Sequence, residues 1–340
     1  MQDFWHYLNN TEYLLATLLF CAVFLKCTAR AAAAEISLRT RILLEFGRVV
    51  PLGMIEPAVT KAGELYALGY HEDNAGPFLV TVQRDLTYDH SHKLKLDLYA
   101  PQFAPSPLPA VILIHGGGWK YFNKSATSGY ARFLASHGFA AVSVDYRLQT
   151  EAKWPAQLDD LRTALLWITE NNLKLNIDPH HIATLGDSAG GHLAAMLGLT
   201  CNDPQGPQIA AVIAYYGVYD MSALLSRDHL ARENPINQLL GDASDIEQTA
   251  RDASPITHVH PGAPPFFLVH GTADSVVPVE QTKALAAALK DAGVPAQTLY
   301  VKGADHLLLG LSGPIDPPLV VTDNQVLSFL RRYLWRTTVT

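Results

Sequence analysis

The 340-residue chain is poor in cysteine and has no excess of positive charge. Its three cysteines are too few for a disulfide framework, and two of them, Cys21 and Cys27, lie in a candidate targeting segment, which leaves Cys201 unpaired in a processed form. The net charge of −7 provides no basic surface, so nucleic acid is excluded as an expected partner. A hydrophobic content of 49% indicates one large core, and no internal repeat divides the chain.

The chain also lacks a hydrophobic run long enough to cross a bilayer easily. Tyr13 to Leu25 is apolar over 13 residues, whereas a transmembrane helix needs about 20. No Lys or Arg precedes this run, while Lys26 and Arg30 follow it, which reverses the charge order of an export signal. Three interpretations of residues 1–35 stay open: a signal or anchor, a helix packed on the folded domain as part of a cap, or an interfacial helix that attaches residues 13–34 to a membrane. Localisation and oligomeric state are left undecided.

A G-x-S-x-G pentapeptide from Gly186 to Gly190 is the first motif that carries chemistry. It lies between an apolar strand pattern at 181–185 and an apolar helix pattern at 191–199. Small residues let strand and helix approach closely at such a turn and leave the Ser188 hydroxyl exposed at the helix N-terminus. We expect Ser188 to be a nucleophile, Ala189 to contribute its N–H to an oxyanion hole, and Asp187 to point into the scaffold.

The sequence His-Gly-Gly-Gly-Trp at 115–119 follows the continuous apolar run 110–114, which predicts a strand buried on both faces. Consecutive glycines after a buried strand let backbone N–H groups turn toward a ligand. We predict that Gly117 and Gly118 donate to the oxyanion together with Ala189.

A nucleophilic serine needs a base and a group that orients the base, and with this turn their chain order is Ser, then Asp or Glu, then His. Asp274 follows the apolar run 266–270, and His306 follows the next strand pattern at 297–301. The carboxyl ends of parallel strands are where catalytic groups lie in open sheets. We predict His306 as general base and acid and Asp274 as its partner; Asp305, adjacent to His306, is a weaker candidate because it cannot easily face the ring.

Three other histidines are assigned structural roles, and two are considered as metal ligands. We expect His192 to pack behind the turn, and His115 and His270 to brace their loops by hydrogen bonds. His258 and His260 have the spacing of two ligands on a strand, but no third ligand recurs nearby. We therefore expect no metal.

Eight strand patterns predict the fold. The first two lack a helix between them and predict an antiparallel hairpin, whereas repeated β-α units follow from the third onward. We predict an α/β fold with a mostly parallel eight-stranded sheet and helices on both faces, spanning 78–340 after a helical region at 36–77. A polar insertion at about 221–260 predicts a small cap over the serine. The strands are predicted at 78–88, 93–99, 110–115, 139–145, 182–186, 209–216, 265–270 and 297–302.

The motifs HGGGW, GDSAGGHLA, HGTADSVVP and GADH, in this order, resemble those of the α/β-hydrolase esterases of the hormone-sensitive-lipase type, close to the feruloyl-esterase and acetyl-esterase-like branch. The resemblance runs from about residue 78 to 336. It implies hydrolysis of carboxylic esters by a serine esterase without a cofactor. Two alternatives stay open: an amide hydrolase of the arylformamidase or peptidase kind, which uses the same triad, and a non-catalytic binding module on the same scaffold.

Substrate preference is the least defined part of the expectation. Trp119 and Tyr121 follow the oxyanion glycines, and Tyr216 follows the sixth strand pattern, so we predict that these rings contact the substrate. We expect a small-molecule ester with a short acyl chain or an aromatic group.

Overall fold

The computed structural model describes residues 76–104, 107–201, 206–225, 234–242, 244–308, 310 and 313–335. The predicted N-terminal segment 1–35 and almost all of the helical region 36–77 lie outside the described residues, as do Cys21, Cys27 and the apolar run 13–25. Within the described part of the chain, no helix is both long and apolar enough to cross a membrane.

The described residues are built around an eight-stranded sheet with the strand order β1-β2-β4-β3-β5-β6-β7-β8. The first two strands form an antiparallel hairpin and β2 also runs antiparallel to β4, while the other neighbouring strands are parallel. The strands are β1 (Val80–Asp89), β2 (Leu94–Pro101), β3 (Leu108–Ile114), β4 (Ala140–Val144), β5 (Ile177–Asp187), β6 (Ala211–Tyr215), β7 (Phe266–Gly271) and β8 (Ala296–Val301). The predicted hairpin followed by a mostly parallel sheet is confirmed.

Helices cover both faces of the sheet. They are α1 (Ser128–Ser136), α2 (Ala156–Glu170), α3 (Asn172–Leu175), α4 (Ala189–Thr200), α5 (Pro235–Leu240), α6 (Ile246–Asp252), α7 (Glu280–Asp291) and α8 (Leu319–Leu334). One hydrophobic core contains buried residues of α2, α4 and α7, and the other contains those of α1 and α8.

The central strand β3 shows why a continuous apolar run is needed at this place. Ile112 and Ile114 pack in the first core, whereas Val111 and Leu113 pack in the second, and all four are fully buried. Side chains alternate between the two faces of a strand, so a strand covered by helices on both sides requires apolar residues at every position.

The predicted cap insertion contains α5, α6 and two short 3₁₀ helices, at Ser222–Leu224 and Pro255–His258. Lys153 ties α5 to the sheet domain, because its ammonium group donates to the carbonyl oxygens of Gln149 at 3.0 Å and Gln238 at 2.8 Å. The insertion lies beside the glycine loop that follows β3, where a Cβ built on Gly118 would be 4.0 Å from Cβ of Pro235.

Two local expectations are corrected by the structure. The fifth strand was expected to begin at residue 182, but it begins at Ile177, because Ile177 pairs with Leu108 at the start of β3. The expectation that His258 and His260 lie on a strand is also wrong. His258 ends a 3₁₀ helix, and its Nε2 atom bonds the Asp252 carbonyl oxygen at 2.8 Å.

Candidate active site

Ser188 lies at the sharp turn between β5 and α4. Its backbone angles are φ 53° and ψ −117°, a conformation that a non-glycine residue seldom adopts. The Ser188 N–H donates to the Tyr215 carbonyl oxygen at 2.9 Å and holds the turn against β6. A Cβ at Gly186 would overlap the backbone of Gly190, and one at Gly190 would overlap the Ile114 carbonyl oxygen. Both glycines are therefore required by the close approach of β3, β5 and α4.

Three predicted residues from separate loops meet in one hydrogen-bond chain. The Ser188 Oγ atom lies 2.9 Å from His306 Nε2, and His306 Nδ1 lies 2.8 Å from Asp274 Oδ2. An ionised carboxylate only accepts hydrogen bonds, so Nδ1 carries the imidazole proton and Nε2 is left to accept the serine proton. The His306 side chain is 15% exposed, whereas the Asp274 side chain is fully buried.

Asp274 is held as a carboxylate by several donors. Its Oδ1 atom accepts the N–H groups of Val276 at 2.8 Å and Val277 at 2.9 Å, and Oδ2 also faces Nε2 of His270 at 3.1 Å. Burial by itself raises the pKa of Asp274, but hydrogen bonds from His270 and His306 outweigh it and hold the pKa well below its ordinary value. Asp274 is thus a permanent negative charge beside His306 at neutral pH.

The predicted oxyanion residues lie on this turn and on the loop that follows β3. Gly117 and Gly118 have φ values of 102° and 60°, which only glycine adopts readily. The Gly117 carbonyl oxygen accepts the N–H groups of Lys120 and Tyr121 in a turn. Among the described residues, no protein acceptor takes the N–H groups of Gly117 and Gly118. Ala189 is the first residue of α4, where an N–H group has no acceptor within its own helix.

Asp187 connects the turn to the glycine loop that follows β3. Its buried carboxyl group accepts the Gly116 N–H at 3.1 Å, so it points into the scaffold as predicted. Burial raises the pKa of Asp187 to about 6, although the hydrogen bond from Gly116 opposes this shift.

The three predicted substrate-contact rings have different surroundings. Tyr216 is 2% exposed and its ring lies against His306, with ring centroids 4.9 Å apart. Tyr121 is half-buried and lies under the Lys120 ammonium group. Trp119 is also 2% exposed, and its indole N–H donates to His192 Nδ1 at 3.2 Å. The Trp119 ring is part of the hydrophobic core and its one polar atom is occupied, so its contact with a substrate stays a prediction.

The sequence reasoning assigned His192, His115 and His270 to structural roles, and all three are buried and hydrogen bonded. His192 links Trp119 to the cap through its Nε2 atom, which bonds the Ala253 carbonyl oxygen at 2.7 Å. His115 Nδ1 bonds the Gly116 carbonyl oxygen at 2.8 Å. His270 differs from the other two because it also contacts Asp274. The only sign of this contact in the sequence is that Asp274 lies four residues after His270, where β7 ends.

One group of potential metal ligands comes together within the described residues, formed by Asp89, His92 and Asp160. A guanidinium already fills this position, since Arg147 donates to Asp160 Oδ1 at 2.6 Å and approaches His92 Nε2 at 3.2 Å. The group is therefore an ion-pair network, and it includes no member of the Ser188 hydrogen-bond chain.

A known protein family matches the part of the chain that contains most of this site. The BD-FAE family model matches residues 96–289, which is more than half of the chain. The chain belongs to the BD-FAE family. The matched stretch contains Ser188 and Asp274, while His306 lies beyond its end.

A curated relative and two solved structures show how far the similarity reaches. Esterase LipC of Mycobacterium tuberculosis is 35% identical over 264 residues, which cover 72% of this chain and 65% of LipC, so the chain spans less than two thirds of that protein. A truncated carbohydrate esterase from gut microbiota is 26% identical with a TM-score of 0.62, over 78% of this chain and 99% of that one. Esterase B from Lactobacillus rhamnosis shares the fold at 23% identity with a TM-score of 0.68, over 82% of this chain and 93% of that one. The fold of this chain is the α/β-hydrolase fold.

Proposed function

We propose that this chain is a carboxylic ester hydrolase that acts through Ser188, His306 and Asp274. The observation that carries the proposal is the unbroken hydrogen-bond chain from the Ser188 hydroxyl to the buried Asp274 carboxylate. Family membership and the names of the relatives, which are esterases, support the same activity.

In the first half of the reaction, Ser188 forms a covalent bond to the acyl group. His306 Nε2 accepts the hydroxyl proton as the oxygen attacks the ester carbonyl carbon, and Asp274 stabilises the imidazolium that forms. The carbonyl oxygen becomes an oxyanion, and the N–H groups of Gly117, Gly118 and Ala189 are the donors proposed to bind it. His306 then gives its proton to the leaving alcohol oxygen, which leaves an acyl-enzyme on Ser188.

The second half repeats the same steps with water. His306 removes a proton from a water molecule, whose oxygen attacks the acyl carbon and forms a second oxyanion in the same place. Collapse of this intermediate breaks the bond to Ser188, and His306 returns the proton to the serine oxygen. The carboxylic acid leaves, and no cofactor or metal is needed for either half.

For substrate, we propose esters with short acyl chains or aromatic groups. Pro235 of α5 approaches Gly118, so the cap narrows the space beside the proposed oxyanion donors. Tyr216 packs on His306, with ring centroids 4.9 Å apart, and adds an apolar ring beside the nucleophile.

The proposal is tested by hydrolysis of p-nitrophenyl esters from acetate to a long acyl chain, with the S188A variant and an aryl formamide assayed in parallel. We expect acetate and butyrate esters to react fastest and kcat to fall at least about a thousandfold in S188A. Faster hydrolysis of the formamide than of every ester would instead identify an amide hydrolase. Folded protein without activity on any of these compounds would indicate a binding module.

A further inference from the structure

His270 is a fully buried histidine at the end of β7 that takes no direct part in the proton transfers described above. Its Nε2 atom lies 3.1 Å from Asp274 Oδ2 and 2.9 Å from the Val277 carbonyl oxygen. Its Nδ1 atom lies 2.7 Å from the hydroxyl of Thr282 on α7. The ring therefore connects the strand, the Asp274 loop and a helix.

The contacts of His270 determine which of its nitrogens carries a proton. Both neighbours of Nε2 are acceptors, a carboxylate oxygen and a carbonyl oxygen, so Nε2 must be the donor. The Thr282 hydroxyl can donate to Nδ1, and Thr282 is itself fully buried. His270 therefore presents a fixed N–H group to Asp274.

The same carboxylate oxygen serves both histidines. Asp274 Oδ2 lies 2.8 Å from His306 Nδ1 and 3.1 Å from His270 Nε2, and the side chains of Asp274 and His270 are fully buried. In so buried a place, water cannot easily replace a donor that is lost. Any change in the His270 contact therefore alters both the orientation of the carboxylate and the charge it offers to His306.

We infer that His270 is a positioning residue, which holds Asp274 in line with His306 and limits how strongly Asp274 stabilises the His306 imidazolium. The inference rests on the proposed function. His270 touches no reacting atom, and it acts through Asp274 alone. Two amide variants separate this role from general packing. In His270→Gln the side-chain amide reaches the position of Nε2, whereas in His270→Asn it reaches only the position of Nδ1 and keeps the Thr282 contact.

The charged and titratable groups around His270 set the direction of the pH effect. Asp274 contacts its Nε2 atom and links it to His306, and the Tyr216 ring packs against it with ring centroids 6.5 Å apart. Glu280 lies on α7, and Tyr219 contacts the Thr282 hydroxyl. Glu280 is solvent-exposed and largely screened, so Asp274 is the dominant partner. Without the N–H of His270, Asp274 directs more of its charge to His306, which then protonates at higher pH.

The experiment measures kcat, KM and the acid side of the pH-rate profile for the wild type, H270N and H270Q on one p-nitrophenyl ester. For H270N we expect kcat to fall about ten- to a hundredfold, KM to change less than about threefold, and the acid limb to move about one pH unit upward. H270Q should keep kcat within about fivefold of the wild type and leave the acid limb in place.

Two outcomes would overturn the inference: an unchanged acid limb in folded H270N, or equal losses in H270N and H270Q. If H270N does not fold, Thr282→Val replaces it, because loss of the Nδ1 partner frees the ring to turn away from Asp274. We then expect the same upward shift of the acid limb. An unchanged acid limb in this variant overturns the inference. A wild type that hydrolyses no ester defeats the proposed function and this inference with it, whereas an active wild type with either outcome above defeats the inference alone, so the two failures remain distinguishable.

Discussion

At the scale of single residues, Asp187 is an acidic side chain that is buried next to the nucleophile. Its carboxyl group accepts the Gly116 N–H from the glycine loop that follows β3. Burial raises its pKa to about 6 from the ordinary value of 3.8. Between these two values the folded chain binds a proton that the unfolded chain has released, so the cost of the buried charge grows as the pH rises.

Replacement of Asp187 by Asn should therefore change stability in a pH-dependent way. The amide oxygen still accepts the Gly116 N–H, but the side chain no longer ionises. Relative to the wild type, we expect the free energy of unfolding of D187N to increase by about 1 to 1.5 kcal/mol between about pH 5 and about pH 8. Urea unfolding of both proteins at the two pH values measures this difference, and a difference that does not vary with pH would contradict the raised pKa.

The sequence located Ser188, Asp274 and His306 because each carries a motif or follows a recognisable strand, and the expected chain order left few choices. It did not reveal that His270 touches Asp274, since a histidine at a strand end gives no sign of which loop folds back onto it. It also did not reveal that the Trp119 indole turns into the core to meet His192, because the motif carries no sign of that contact. Side-chain direction after a glycine turn depends on packing with distant elements.

At the scale of secondary-structure elements, the active-site turn depends on how closely β3, β5 and α4 approach. Gly190 of α4 lies against the carbonyl oxygens of Ile114 and His115, and Gly191 lies against that of Tyr215. Backbone atoms cannot move aside as a flexible side chain can, so these contacts leave no room for a methyl group.

The variant G190A tests this packing, with G262A as the matched control. At Gly190 the added methyl group would overlap the backbone of β3, whereas at Gly262 its nearest neighbour is the side chain of His260 at 3.4 Å. We expect G190A to lose about 3 kcal/mol or more of stability, or not to fold, and G262A to stay within about 1 kcal/mol of the wild type. Thermal unfolding of the wild type, G190A and G262A measures these differences. Equal unfolding temperatures for the three proteins would contradict the close approach of Gly190 to β3.

The elements themselves were largely predictable, because the apolar runs of a sheet buried on both faces stand out from the polar segments between them. The early start of β5 was missed because its apolar pattern begins only near residue 182, although the pairing of Ile177 with Leu108 starts the strand earlier. The path of the cap was not predictable, since its contacts, such as Lys153 with Gln238, join segments far apart in sequence.

At the scale of the whole molecule, the sheet topology assembles the site. Ser188 follows β5, Asp274 follows β7 and His306 follows β8, so residues that are 118 positions apart in the chain meet at the carboxyl edge of one sheet. The alternation of strands and helices predicted this topology, and the family match agrees with it. The role of residues 1–77 could not be predicted in the same way, because one short apolar run is compatible with an anchor, an interfacial helix or part of a cap.

The most direct test of the central claim is covalent capture of the nucleophile. A p-nitrophenyl alkylphosphonate places a tetrahedral phosphorus where the oxyanion intermediate forms, and attack by the serine releases p-nitrophenol and leaves a stable adduct. We predict one equivalent of p-nitrophenol per chain, one adduct that peptide mass spectrometry locates at Ser188, and no adduct in S188A. An adduct at another residue, or ester hydrolysis that persists in fully labelled protein, would contradict the account.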